Sequence, residues 1–362
     1  MQYQLKTRQI CFLFIALMPI TKLFTLPSVL ALSAREDMWI SAVINLALDL
    51  ITLSLLCLAC QKTEKTFFEL LEDGFGNVGA KIIMTVYTLY FLLKAFIPLQ
   101  EQEEFVKLSL YINMPTDLFF LPFFVVSFIL CLKPLRVFGR ASDVVWIFTL
   151  VGYFLLIFLS VSNVEWQALL PVGAQGAQSV IKGSCKSFNW WGDCAYMLFF
   201  IGNFKSGKKA SIKIILSYLF SGLIVVLAMV FFWGTFTSIA HRQQFAMTEL
   251  SKYTTVINNT GRFDYVGIIF ILFSCVFSLS LPLYFASLLL NQVFNLKHKW
   301  ICPLIVNLSM LISMLLLNQY MVSISAFFES IMSPVFFIMG NLLPILTLCL
   351  TSKRSSNENV KA

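Results

Sequence analysis

Charged side chains inside otherwise apolar stretches are the residues of this chain best placed to do chemistry. Lys22 interrupts the first such stretch, Asp49 lies halfway along the second, and Lys94 sits near the middle of the third, one turn after Tyr90. A charge at the centre of a membrane-crossing helix costs about 2.5–3.5 kcal/mol on insertion scales, so each is a functional candidate. The Lys22 ammonium, flanked by Thr21 and Thr25, can take a cation's place, pair with an anionic ligand, or point into a wet vestibule. Lys94 can contact a ligand, face water, or pair with a carboxylate, for which Asp49 is the expected partner. Glu101 and Glu104 share one helix face, whereas Glu103 points elsewhere; the two read as a solvated rim or as a gate or proton site. Asp193 follows Gly192 and the pair Trp190-Trp191. It either lines a cavity, where Trp191 and one acid suit an amino group, or caps a helix beneath an interfacial Trp belt.

Other chemistry finds little support. No Gly-rich phosphate loop, zinc motif or Ser-centred elbow occurs, so an enzyme is not expected, nor a cofactor. Cys57 and Cys60 have CxxC spacing, but no second pair or nearby His completes a metal site. Most cysteines fall in apolar stretches and read as small buried hydrophobes; Cys185 is the one clearly in an outer loop.

The elements that carry these residues follow from composition. Of 362 residues 59% are hydrophobic and only 12% charged, against roughly 45–50% and about 25% in soluble domains. A soluble enzyme and a disordered chain are both excluded, leaving an all-α polytopic membrane protein in a single domain, with the lipid bilayer as its first partner. Ten apolar stretches can cross a membrane: 10–33, 38–60, 81–107, 116–132, 143–162, 188–204, 212–236, 264–294, 300–317 and 324–350. With both termini cytoplasmic, 17 Lys and Arg fall on the inner side, 7 outside and 2 within spans, as the positive-inside rule requires. The net charge of +8 is thus a topology signal, and nucleic-acid binding is not expected. Lys22 and the poor site at Leu32-Ser33-Ala34 argue against a cleaved signal peptide. Residues 163–187 and 237–263 read as outer polar loops, and the tail from Ser352 as a short polar end. Ser142 and Asp143 read as the cap of the fifth helix.

The chain divides near residue 163 into two halves of five helices, 1–162 and 163–351, followed by a tail, 352–362. An odd number per half inserts the second half in the opposite sense, the plan of inverted repeats whose first helices are broken at a central binding site. The first helix carries Pro19 and Pro27 around Thr21, Lys22 and Thr25; the sixth is short and carries Gly192-Asp193 and Gly202-Asn203. Proline removes an amide donor and disfavours helix in the residue before it, so a break is expected in both.

Several motifs in order along the chain resemble the spore-germination receptor B-subunit family, of the amino acid–polyamine–organocation superfamily. They are Leu23-Phe24-Thr25-Leu26-Pro27, Asp37-Met38-Trp39-Ile40, Glu104-Phe105-Val106-Lys107, Met114-Pro115-Thr116, Gly139-Arg140-Ala141-Ser142-Asp143, Leu170-Pro171-Val172 and Arg262-Phe263-Asp264. The resemblance implies ten helices in a five-plus-five inverted repeat and a place in the inner spore membrane beside an A subunit and a C-subunit lipoprotein. It further implies recognition of a small germinant, typically an amino acid; the leading reading places that ligand between helices one, three, six and eight. The rival reading is a proton-coupled secondary transporter of amino acids or a related solute. The family's Gly-x-Gly pair in the first break is replaced here by Ile20 and Lys22, whose side chains crowd the approach of a ligand carboxylate to backbone amides.

Overall fold

The structure, a computed structural model, describes residues 5–109, 115–243, 245–246, 249–250 and 264–349. Met114, Arg262-Phe263, much of the 237–263 loop and the tail lie outside the described residues.

The first span is broken where the prolines predict. Helix α1 (Thr7–Ile20) ends one residue after Pro19, and the chain restarts as α2 (Leu26–Ala34) with Pro27 in its first turn, where a missing amide donor is harmless. Residues 21–25 between them are not helical. The Ser221 and Ser278 hydroxyls donate to the Phe14 and Ala16 carbonyls of α1 at 3.2 and 3.3 Å, and the Phe24 carbonyl in the break accepts the Ala246 amide at 3.1 Å. Backbone oxygens at this depth therefore find donors, as a membrane interior demands.

Helix α3 (Met38–Cys60) is followed by α4 (Phe67–Ser109), α5 (Thr116–Cys131) and α6 (Leu135–Ser160). Gly76, at φ 71°, divides α4 into a short first segment and a long spanning one. Ser142 and Asp143 do not cap α6, which starts two turns earlier at Leu135 because Arg136 and Arg140 tolerate the interfacial first turns. Both residues instead fix the start of α1. Asp143 meets the Arg8 guanidinium at 3.1 Å and accepts from Gln9 Nε2 at 3.2 Å, and the Ser142 hydroxyl donates to the Gln9 carbonyl at 3.0 Å.

The sixth span differs most from expectation. Its first part is α7 (Gly176–Lys186), inside the stretch expected to be a polar loop. A hydropathy reading passes over α7 because it buries only Val180, Gly183 and Ser184. Those residues meet polar side chains of α3: Ser41 donates to the Val180 carbonyl at 2.9 Å, and Asn45 donates to the Ser184 carbonyl at 3.1 Å. A methyl at Gly183 would stand 2.9 Å from Ser41 Oγ. The Asp37 carboxylate accepts the Gly173 and Gln175 amides at 2.7 and 3.1 Å, ordering the turn that starts α7. After α7 the chain makes a 3₁₀ turn at Phe188–Trp190, passes Trp191 and a left-handed Gly192 (φ 83°), turns again at Asp193–Ala195 and ends as α8 (Tyr196–Phe200).

Helices α9 (Lys208–Phe236), α10 (Asp264–Phe294) and α11 (Ile301–Leu317) follow. A last helical run, α12 (321–349), contains π-wound turns at Phe328–Met332 and Ile338–Leu342. Each lies just before a proline, Pro334 and Pro344, whose ring clashes with a carbonyl one turn back and widens the winding. Helix α10 is central and packs on α4 and α6; α1 packs on α6 and α9, and α3 on α9. All described secondary structure is helical, and six helical runs are long and apolar enough to span a membrane. With the two broken spans, α5, and the two passes within Ile301–Cys349, the described chain forms ten spanning segments.

Candidate functional site

The two breaks meet. Lys22 leaves the end of α1 at the point where Pro19 has loosened the helix, and its ammonium is fully buried against the Asp193 carboxylate from the break in span six. The same ammonium lies 3.5 Å from the Met18 carbonyl and 5.2 Å from the centre of the Trp191 ring, within cation–π range. Lys94, from the middle of α4, stands 3.3 Å from the second Asp193 oxygen and donates to the Trp191 carbonyl. One carboxylate thus holds two ammonium groups from two helices.

This corrects the expected pairing of Lys94 with Asp49. The Asp49 carboxylate is taken by other donors: the Tyr218 hydroxyl at 2.5 Å and the Gly192 amide at 3.0 and 3.1 Å. Asp49 thereby ties the left-handed turn of span six to α3 and α9. Tyr90 donates to the Gly192 carbonyl at 3.2 Å from the other side. A methyl at Gly192 would stand 3.0 Å from the Tyr90 hydroxyl and 3.3 Å from Gly340 Cα, so the second π turn of α12 also packs directly on the break. Asn341, next to that glycine, accepts from Thr52 at 2.8 Å and from Cys194 Sγ at 3.5 Å. Thr21 is buried and turns its hydroxyl to the Met18 carbonyl at 3.4 Å.

The cluster is filled, and space lies to either side of it. A cavity of about 310 Å³ at the Glu101 end is bounded by Thr25 and Val29 of span one, Glu101 and Glu104 of α4, Asn189 and Trp190 of span six, and Glu329 of α12. Glu101 accepts hydrogen bonds from the Thr25 hydroxyl and from the Trp190 indole, the latter at 3.1 Å. Glu103 points away, to Lys107 and Asn318, as its place on the helix predicts. A second cavity, about 500 Å³, opens at the opposite end among Thr66, Lys133, Asn203, Asn291 and Lys299. Between them stand the ion cluster and a stack of aromatic rings in which Phe91, Tyr196, Phe199 and Phe285 touch one another at centroid distances of 5.1–5.6 Å.

The residues singled out from sequence therefore separate into two groups. Thr21, Lys22, Tyr90, Lys94, Trp191 and Asp193 gather around the helix breaks, whereas Thr25, Glu101 and Glu104 line the cavity at the Glu101 end. That cavity lies among spans one, three, six and ten, with span ten where span eight was expected. Tyr218, Gly340 and Asn341 were not foreseen; the mid-helix Asp49, which needs donors wherever it is buried, was the one signal that could have prompted a search for such partners.

A family model described as a spore germination protein, the spore permease family, matches residues 4–322. No curated protein matches the chain by sequence. Solved structures of similar fold include variants of the manganese transporter of Eremococcus coleocola. One with a histidine-to-alanine substitution has a TM-score of 0.55 at 11% identity, covering 95% of this chain and 76% of that chain. One with a glutamate-to-glutamine substitution has a TM-score of 0.53 at 10% identity over the same shares. At such identity the likeness is one of fold alone, that of a multi-pass membrane transporter. With nearly its whole length matched and its two broken spans joined at the centre, the chain belongs to the spore germination protein family of permeases.

Proposed function

We propose that this protein is the permease-like B subunit of a germinant receptor, working beside an A subunit and a C-subunit lipoprotein in the inner spore membrane. A small ligand, typically an amino acid, enters the cavity beside Glu101 from outside, with both chain termini cytoplasmic. The observation that carries this reading is the buried Lys22–Asp193–Lys94 cluster joining the two helix breaks. A ligand bearing a carboxylate and an ammonium can exchange with such a pair: its carboxylate competes with Asp193 for the lysines, and its ammonium competes with the lysines for Asp193. The exchange would free spans one and six to move, and a ligand shifts a conformational balance only through such differential contacts. Two ammonium groups at this point disfavour a divalent metal, so the manganese of the fold neighbours does not carry over to the central site.

Cys194, fully buried next to Asp193, reports on this motion. With Cys194 as the sole cysteine, candidate amino acids should speed its labelling by a maleimide in proteoliposomes, and Lys22→Met should abolish the response. No acceleration by any of them would defeat the reading. The fold and the two opposed cavities favour one rival, a proton-coupled carrier; uptake of labelled solute by this chain alone would select it, since a receptor subunit needs no net transport.

A further inference from the structure

The cavity of about 500 Å³ at the end opposite Glu101 carries the reverse charge. It lies on the side where the chain starts, since the Leu5 amide donates at 3.0 Å to the carbonyl of Asn203, a residue of its wall. Among the described lining residues Lys133 and Lys299 are the charged ones, and none is Asp or Glu. Both lysines are exposed, and neither has a carboxylate partner among the described residues. Arg8 and Lys65, at the same end, do have one, Asp143 and Asp73. Lys133 stands two residues before α6 and Lys299 two residues before α11, and neither helix start is capped by a side chain. The first amides of both helices, at the positive end of the dipole, therefore add to the two ammonium charges. Asn291 and Gln292, in the last turn of α10, bring side-chain amides to the same wall; Asn291 Oδ1 accepts from the Cys302 thiol at 3.9 Å, which leaves its N–H groups to donate. Lysines at cytoplasmic helix ends are common in membrane proteins. Two unpaired ones that share a cavity with two uncapped helix starts make a wall of a single sign.

We propose that this cavity binds a phosphate group, carried by an anionic phospholipid or by a small soluble ester. A phosphate presents several charged oxygens at once, enough to accept from Lys133, Lys299 and the amides beside them. A carboxylate, with two oxygens, satisfies fewer of these donors. Basic pockets between spanning helices on the cytoplasmic side are a recurring place for lipid headgroups. The rest of the wall suits the carbon frame of such a group: Phe67, Phe68, Leu132 and Leu288 are apolar, and the volume admits a glycerol phosphate. Once bound, the phosphate joins the turn between α5 and α6 to the turn between α10 and α11. The inference goes beyond the receptor reading, whose ligand enters at the Glu101 end. The ion cluster and the ring stack stand between the two cavities, so this is a separate site.

The test uses the full chain in two arms. In detergent, native mass spectrometry counts phosphatidylglycerol and phosphatidylcholine retained per chain. In phosphatidylcholine nanodiscs, calorimetry titrates inorganic phosphate, glycerol 3-phosphate and L-alanine. Phosphatidylglycerol or the soluble phosphates should bind saturably at one per chain, and the double variant Lys133→Gln, Lys299→Gln should weaken that binding at least tenfold. The control Lys208→Gln, Lys209→Gln removes the same charge from exposed lysines outside the cavity and should change it less than twofold. All four lysines are exposed, so both double variants should keep the parent melting temperature. Retention of phosphatidylglycerol alone identifies a headgroup site, and saturable titration by the soluble phosphates identifies an ester site; either result supports the proposal. Absence of saturable binding by every phosphate probe, an equal loss in both double variants, or L-alanine binding that depends on Lys133 and Lys299 would each overturn it. Cys194 labelling by amino acids tests the receptor reading at the other end, so either reading can fail without the other.

Discussion

Replacing Asp193 with Asn tests whether the cluster at the helix breaks is held by charge. Asp193 is 1% exposed and is the shared counter-ion of Lys22, fully buried, and Lys94, 3.3 Å away. Removing one partner of a buried ion pair costs about 3–5 kcal/mol, mainly because the remaining charge is stranded. Here two ammonium groups lose their partner together, and Asp49 cannot replace it without releasing Tyr218 and the Gly192 amide. The expected loss is therefore at the upper end of that range, roughly three and a half powers of ten in the unfolding equilibrium. Lys22→Met should cost less, since Asp193 keeps Lys94 and the methionine stem fills similar space. The triple variant Lys22→Met, Lys94→Met, Asp193→Asn should recover most of the loss, because it strands no charge. The assay is SDS-titrated unfolding from lipid–detergent bicelles, with unfolding half-lives compared wherever refolding is incomplete. If Asp193→Asn proved no less stable than Lys22→Met, or the triple variant no more stable than Asp193→Asn, the cluster would not be a mutually dependent ionic unit.

Three further outcomes follow from other parts of the fold. Gly192→Ala should lower the melting temperature clearly, since a side chain at φ 83° costs about 1–2 kcal/mol and its methyl would press on the Tyr90 hydroxyl at 3.0 Å; an unchanged melting curve would contradict that packing. Asp143→Ala, by contrast, should change stability by no more than about 1 kcal/mol despite losing its contact with Arg8, because the Arg8 side chain is 63% exposed; a large loss in the same unfolding assay would refute this. On the proposed orientation, a membrane-impermeant maleimide should label exposed Cys185 in right-side-out vesicles and exposed Cys349 only in inverted ones; the opposite pattern would reverse the topology.

How much of this was legible before the structure depended on whether a feature is local. Helix α3 runs from Met38 to Cys60, the bounds read from its apolar run, because Asp37 and Gln61-Lys62 flank that run sharply. The eighth span, Asp264–Phe294, was equally plain. The break at 21–25 was visible because proline acts on its immediate neighbours. Helix α7 was hidden for the opposite reason: its partners are Ser41 and Asn45, so its buried face is small and polar and leaves no apolar period to detect. The choice of Asp193 over Asp49 by Lys94 is a tertiary fact, decided by Tyr218 and the Gly192 amide having claimed Asp49 first. The π turns of the last span could have been suspected from Pro334 and Pro344, but their consequence, Gly340 against Gly192, depends on two segments far apart in the chain.

The separation of the two cavities bears on how the proposed receptor would work. A carrier has to join them in alternation, which means parting Asp193 from both lysines and also moving the ring stack of Phe91, Tyr196, Phe199 and Phe285. A sensor need only alter the first of these. Spans one and six are tied together at the ion cluster, and span six is tied in turn to α3 and α9 through Asp49 and to span ten through Gly340. A shift of Asp193 by the length of one hydrogen bond would therefore be felt by every one of those helices while the ring stack stayed closed. On this argument the ion cluster is the switch and the ring stack is the seal. The two roles come apart experimentally: thinning the stack, as in Phe285→Ala, should permit solute leak without making Cys194 labelling ligand-independent, whereas Asp193→Asn should do the reverse.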